Sequence, residues 1–131
     1  MKIKIKTATH IGKVRDHNED SHIALGGDQS PPSIDALLVV ADGMGGHPHG
    51  DLASSLATEI VVVKLAEFVE SDEDQVGSAD AMTEALLSAH DTMRAHIEEN
   101  PKLAGMGTTV VAMLIEPSGG SYTLGHAGDS R

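Results

Sequence analysis

Cysteine and tryptophan are absent from this 131-residue chain, and Phe68 and Tyr122 are its only aromatic side chains. Without thiols there is no disulfide scaffold, no thiolate zinc site and no cysteine nucleophile. Without aromatics there is no platform on which single-stranded nucleic acid would stack. Basic residues are few as well: nine Lys and Arg stand against twenty Asp and Glu, a formal net charge of −11. A surface of that sign repels phosphate backbones, which excludes nucleic acid as a partner. Long apolar runs are also missing. Leu37–Ala41 and Val110–Ile115 fall far short of the roughly 20 residues needed to span a bilayer. The N-terminus alternates Lys and Ile from Lys2 to Lys6 without an apolar h-region, so no secretory signal is read there. These absences lead to the expectation of a cytoplasmic protein with no membrane partner.

Hydrophobic residues nonetheless make up 40% of the chain, ordinary for a globular domain and too many for an acidic disordered tail. The length corresponds to a single core or part of one, built from Val, Ile, Leu, Met and Ala. Ile3 and Ile5 alternate with lysines, and Thr7 and Thr9 continue the period of two, which predicts a half-buried strand with a basic outer face. Ser21–Gly26 predicts a second strand. Ala36–Ala41, a continuous apolar run cut off by Asp42-Gly43, predicts a third strand buried on both faces. A glycine loop, Gly43–Gly50, then leads into a helix from about Asp51 to Glu70, with Ala53, Leu56, Ala57, Ile60 and Val61 on one face. Asp51 suits the N-cap or first turn. A second helix ends at Glu99, before Asn100-Pro101, and carries Met82, Leu86, Ala89, Met93 and Ile97 as its stripe. The helices are expected to pair antiparallel. Thr108–Ile115 and Ser121–His126, joined across Glu116–Gly120, predict a closing hairpin. Strands and helices in separate groups point to an α+β fold, helices on a largely antiparallel sheet.

Three polar segments fall at the ends of predicted strands: Arg15–Asp20, Asp42–Gly46 and His126–Arg131. They bring carboxylates at Glu19, Asp20, Asp42 and Asp129 into consideration together. Like charges gathered in a small site raise one another's pKa. A hard divalent cation relieves that conflict, and oxygen-only ligands favour magnesium or manganese over zinc. Arg15 supplies a planar fork suited to a phosphate. His47 and His49 lack the further His or Cys that a transition-metal site would need, and read as a polar loop. The glycine loop lacks the Lys-Ser/Thr ending of an ATP-binding loop.

With those residues in view, the chain resembles the metal-dependent serine/threonine protein phosphatases of type 2C (the PPM family), in their bacterial branch. The resemblance rests on Gly12-Lys13-Val14-Arg15 with Asn18-Glu19-Asp20, on Val40-Ala41-Asp42-Gly43-Met44-Gly45-Gly46, on Gly107-Thr108-Thr109 and on Gly128-Asp129-Ser130-Arg131. Any one of these is weak alone. Their order and intervals together cover nearly the whole chain.

The resemblance implies a layered β-sandwich flanked by antiparallel helix pairs, of which residues 1–131 would form the N-terminal half. It implies hydrolysis of phosphoserine and phosphothreonine in proteins by a metal-activated water, with manganese or magnesium as cofactor. Asp42 would bridge two ions with help from the Gly43 carbonyl, Glu19 would bind the second, and Asp20 would support the shell. Arg15 would clamp the phosphate, and Asp129 matches the position for a third, weaker ion. Gly107-Thr108-Thr109 reads as packing and turn geometry. Two departures stand out. Met44 occupies a position where many animal members carry a histidine, and the family domain normally continues with further strands, a second helix pair and two more metal-binding aspartates. A half-domain is expected to be inactive alone and to self-associate through exposed strand edges. The competing expectation is a non-catalytic module that binds a metal or a partner.

Overall fold

A computed structural model of the chain describes residues 3–31, 33–46, 49–71, 77–117 and 120–130. The elements run β1 (Asp20–Gly26), β2 (Ala36–Met44), α1 (His49–Glu70), α2 (Ser78–Glu99), β3 (Gly107–Thr108), β4 (Val110–Ile115) and β5 (Tyr122–Ala127). Short 3-10 turns follow β1 and α2. All pairings are antiparallel, in the order β1-β2-β4-β5, with β3 pairing the far end of β2. The α+β expectation holds, with one sheet and one helix pair on one of its faces. Among the described residues, no helix is long and apolar enough to cross a membrane.

Alternation along β2 sorts its side chains. Leu37, Val39, Ala41 and Gly43 are buried beneath the helices, while Val40, Asp42 and Met44 are exposed on the opposite face. On β4, Val110, Ala112 and Leu114 join the buried side. The strand predicted to be buried on both faces is therefore buried on one. The open face is apolar too: Val40, Tyr122 and Leu124 are exposed by 55%, 66% and 52%.

The helix α1 buries Ala53, Ala57 and Val61 of the expected stripe, but the buried face is shifted toward small residues. Gly50, Ala53, Ser54, Ala57, Thr58, Val61 and Leu65 face inward, whereas Leu56 and Ile60 are half-buried. Small residues win because the helix lies close to β1 and β2. Two buried hydroxyls are satisfied locally: Ser54 Oγ donates to the Asp51 carbonyl at 3.3 Å and Thr58 Oγ1 to the Ser55 carbonyl at 2.9 Å. Thr58 Oγ1 also lies 3.2 Å from Ser21 Oγ on β1. The second helix returns alongside α1 and packs Ala81, Met82, Ala85 and Ala89 into the core. Its approach to β5 requires Gly125, where a Cβ would lie 2.5 Å from Met82 Cγ.

The segment from Ile3 to Thr9 forms no strand, which corrects the strand expected there. Its alternation survives, with Ile3 and Ile5 half-buried and Lys4 and Lys6 exposed. Ile5 lies over the open sheet face instead of entering a ladder. Ile5 occupies the space that a side chain at Gly26 would need, and the segment covers a cavity of about 300 Å³ against β1 and β2.

The two faces of β2 should respond differently to truncation. Leu37→Ala removes a fully buried side chain and should cost about 2–5 kcal/mol, read as a lower urea midpoint. Val40→Thr on the open face should stay within about 0.5 kcal/mol. Equal losses would refute this assignment of faces.

Candidate metal centre

The strands β1 and β2 place Asp20 directly opposite Asp42. Both carboxylates stand at the exposed end of the pair, on the sheet face away from the helices, where β2 emerges from the core after Ala41. The Asp20 carboxyl is held above its ordinary range, first by partial desolvation, then by the Asp42 charge and a hydrogen bond shared with it. Two carboxylates therefore face each other across the ladder.

The turn beyond Asp42 leaves no room for a side chain. A Cβ at Gly43 would collide with the Gly50 carbonyl and lie 2.6 Å from the Glu19 carbonyl, and Gly43 N–H donates to that Glu19 carbonyl at 3.1 Å. The same constraint acts at Gly50, in the first turn of α1. A Cβ there would sit 2.6 Å from Glu19 Cδ and 2.9 Å from each carboxylate oxygen. The Glu19 carboxylate thus rests against the start of α1, where unpaired helix N–H groups favour negative charge. Asp51 lies in that same first turn, as expected of it.

Arg15 stands in the loop before β1 and lines a cavity of about 180 Å³ with His10, His17, Asn18, Glu19, Asp20, Asp42 and Gly43. Asn18 closes the loop: its Nδ2 donates to Thr9 Oγ1 at 2.6 Å, and its Oδ1 accepts from Asp20 N–H at 3.1 Å. Inside the loop, Gly12 N–H donates to His10 Nδ1 at 2.8 Å, with Gly12 at φ +84°. His10, His17 and the stapling role of Asn18 were missed in the sequence. Asn18 lay within a recognised motif, but only the fold shows which segment it grips.

Of the residues expected in the site, Arg15, Glu19, Asp20, Asp42 and Gly43 come together around this cavity. Asp129 does not line it. It follows β5 on a neighbouring turn at the same end of the sheet, exposed. His47 and Arg131 lie outside the described residues, while His49 opens α1. Among the described residues, no three His, Asp or Glu side chains close into a ready-made metal shell. The donor chemistry nevertheless fits a hard cation. Asp20 and Asp42 offer oxygens only, they face each other across the ladder, and the Gly43 cradle excludes competing side chains.

The repulsion has a measurable sign. Because the folded pKa of Asp20 is raised, the metal-free fold gains stability as pH falls through that pKa and loses it as pH rises. Asp20→Asn should therefore stabilise the metal-free chain at neutral pH, by less than about 1 kcal/mol given solvent screening, read as a higher melting temperature. The gain should shrink under acid conditions, and added manganese should stabilise wild type more than the variant. A variant less stable than wild type at every pH would refute the repulsive pair.

Comparison with known proteins converges on one family. The family described as Protein phosphatase 2C matches residues 10–131. A serine/threonine protein phosphatase of Mycobacterium tuberculosis, PstP, is 39% identical over 121 residues, covering 92% of this chain and 20% of that protein. A serine/threonine phosphatase of Listeria welshimeri is 33% identical, covering 94% of this chain and 46% of the relative. The crystal structure of the M. tuberculosis phosphatase superimposes with a TM-score of 0.68 at 36% identity, covering 93% of this chain and 45% of that one. Its catalytic domain in complex with two manganese ions superimposes with a TM-score of 0.65 at 38% identity, covering 93% of this chain and 46% of that one. The chain thus spans half or less of the length of these relatives. With the motifs in order and the fold shared, it belongs to the protein phosphatase 2C family.

Proposed function

We propose that this chain forms the N-terminal part of a metal-dependent phosphatase that hydrolyses phosphoserine and phosphothreonine in proteins. The carrying observation is the opposition of Asp20 and Asp42 at a cavity that Arg15 shares. Manganese or magnesium is the cofactor we assign, as a pair at Asp42 with a weaker third ion at Asp129. The manganese pair in a related catalytic domain supports this choice. Such ions, when bound, neutralise phosphate charge and supply a nucleophilic water at neutral pH.

The residues of the chain then have distinct tasks. Asp42 holds the cations at the end of a strand whose other face is locked under α1. Asp20 completes the negative pair, and Glu19 adds charge from the helix start. Arg15 binds the substrate phosphate through parallel N–H donors, which orients it toward the carboxylates. Met44 has no proton to give a leaving alkoxide, so that task falls elsewhere.

A second reading, a non-catalytic half-domain that binds metal or a partner, is favoured for the isolated chain by one observation. The described residues supply no three-ligand shell. The open apolar face and the edges of β1 and β5, unpaired among the described residues, also favour association with a second copy.

Loss of Asp42 is expected to be the most damaging change. Outer-shell partners of metal ligands already cost about 10–100-fold in affinity, so Asp42→Ala should weaken manganese binding by more than that lower bound in a calorimetric titration. Equal affinities would remove Asp42 from the site. Arg15→Ala, assayed on a phosphoprotein in the full-length protein, should raise KM while leaving manganese affinity within about twofold. Collapse of that affinity would make Arg15 structural. The 131-residue chain alone should show no manganese-dependent turnover of an aryl phosphate and should elute as an oligomer. A monomer with turnover that disappears in Asp42→Asn would show that this half suffices.

A further inference from the structure

Thr109 lies between the two carboxylate-bearing segments assigned to cations. Extending the β2–β4 register from Val40↔Val111 sets it opposite Asp42, and extending β4–β5 from Val110↔Ala127 sets it beside Gly128. Yet it belongs to neither β3 nor β4, and the regular ladder is replaced there by a denser set of bonds. Thr109 N–H donates to the Asp42 carbonyl at 2.9 Å, and the single proton of the Thr108 hydroxyl is shared between that oxygen at 2.9 Å and the Thr109 carbonyl at 2.8 Å. Asp42 N–H in turn donates to Thr109 Oγ1 at 3.3 Å. Both main-chain polar groups of Asp42 are therefore held by this threonine pair.

The other side of Thr109 grips the turn that carries Asp129. Its Oγ1 lies 2.7 Å from Ser130 Oγ. Its methyl group packs beneath Gly128, where φ is +93° and a Cβ would come within 2.9 Å of Thr109 Cγ2. Thr109 is only 3% exposed, so bulk water competes poorly for these bonds. With one lone pair taken by Asp42 N–H, the hydroxyl keeps its proton for Ser130 or accepts from it on the other lone pair. One side chain thus touches the main chain that bears Asp42 and the residue next to Asp129.

We propose that Thr109 is a positioning residue, coupling the Asp42 carboxylate to the Asp129 turn so that both are held in one arrangement for cation binding. The proposal rests on the metal reading above and deepens it. A carboxylate at an exposed strand end is otherwise free to drift, and affinity depends on ligands held within about 0.5 Å of their working positions. Packing alone would give Thr109 a different signature: its loss would lower the melting temperature and leave the affinity of the folded protein intact.

The test is calorimetric titration of the full chain with manganese, beside thermal melts, for Thr109→Val, Thr109→Ser, Ser130→Ala and Asp42→Asn. Thr109→Val keeps the branched shape but lacks the hydroxyl, and should weaken manganese binding about tenfold, as outer-shell losses do. Thr109→Ser restores the hydroxyl and should return affinity to within about twofold of wild type. Ser130→Ala breaks only the link to the Asp129 turn and should weaken binding less than Thr109→Val. Wild-type affinity in a folded Thr109→Val would overturn the proposal, even with a lowered melting temperature. Should Thr109→Val fail to fold, Ser130→Ala decides: unchanged affinity there overturns the coupling. Wild-type affinity in Asp42→Asn would overturn the metal reading itself, independently of Thr109.

Discussion

The closeness of α1 to the end of β2 is the constraint on which the rest of the arrangement depends. Gly43 and the first turn of α1 approach until no side chain fits between them, and Glu19 is caught in the same crowding. A helix that packs so tightly must be lined with small residues, which explains the Gly50, Ala53, Ser54 and Ala57 stripe. The contact also decides where Asp42 goes. With Ala41 and Gly43 turned under the helix, strand alternation sends the side chain between them to the open face. There it meets Asp20 across the ladder.

The polar end of the sheet follows from that arrangement. Asp20 and Asp42 occupy neighbouring strands in one row, with Thr109 extending it toward the Asp129 turn. The row gathers like charge: the Asp20 carboxyl is held above its ordinary range by partial desolvation first and by the facing Asp42 charge second. A site that repels itself in the absence of a cation is a site suited to bind one. The Asn18 staple and the Thr109 bonds hold the neighbouring main chain against that repulsion.

The open face carries a second tension. Its apolar residues have no layer above them among the described residues except the segment from Ile3 onward. That segment keeps the alternation of a strand without a ladder partner, because it lies across the open face of β1 and β2 instead of alongside the outer edge of β1. Sequence periodicity reports which face of a segment is apolar and says nothing of whether that segment joins a ladder or lies across one. The strand expected from Ile3 to Thr9 failed for that reason.

Local signals made much of this protein legible from the sequence. Apolar runs located β2 and β4, helical spacing and the Asn100-Pro101 stop bounded α2, and the polar motifs named Arg15, Glu19, Asp20, Asp42 and Asp129. Each of these depends on neighbours within a few residues, or on patterns held in one segment. Only the tertiary structure decided which face of β2 is open, that Leu56 gives way to Ser54 and Thr58 on α1, and that Asn18 and Thr109 clamp separate segments. It also set Glu19 against the helix start and left Asp129 outside the cavity. Those outcomes depend on how closely distant segments approach, and that distance is fixed by packing, which no local spacing encodes.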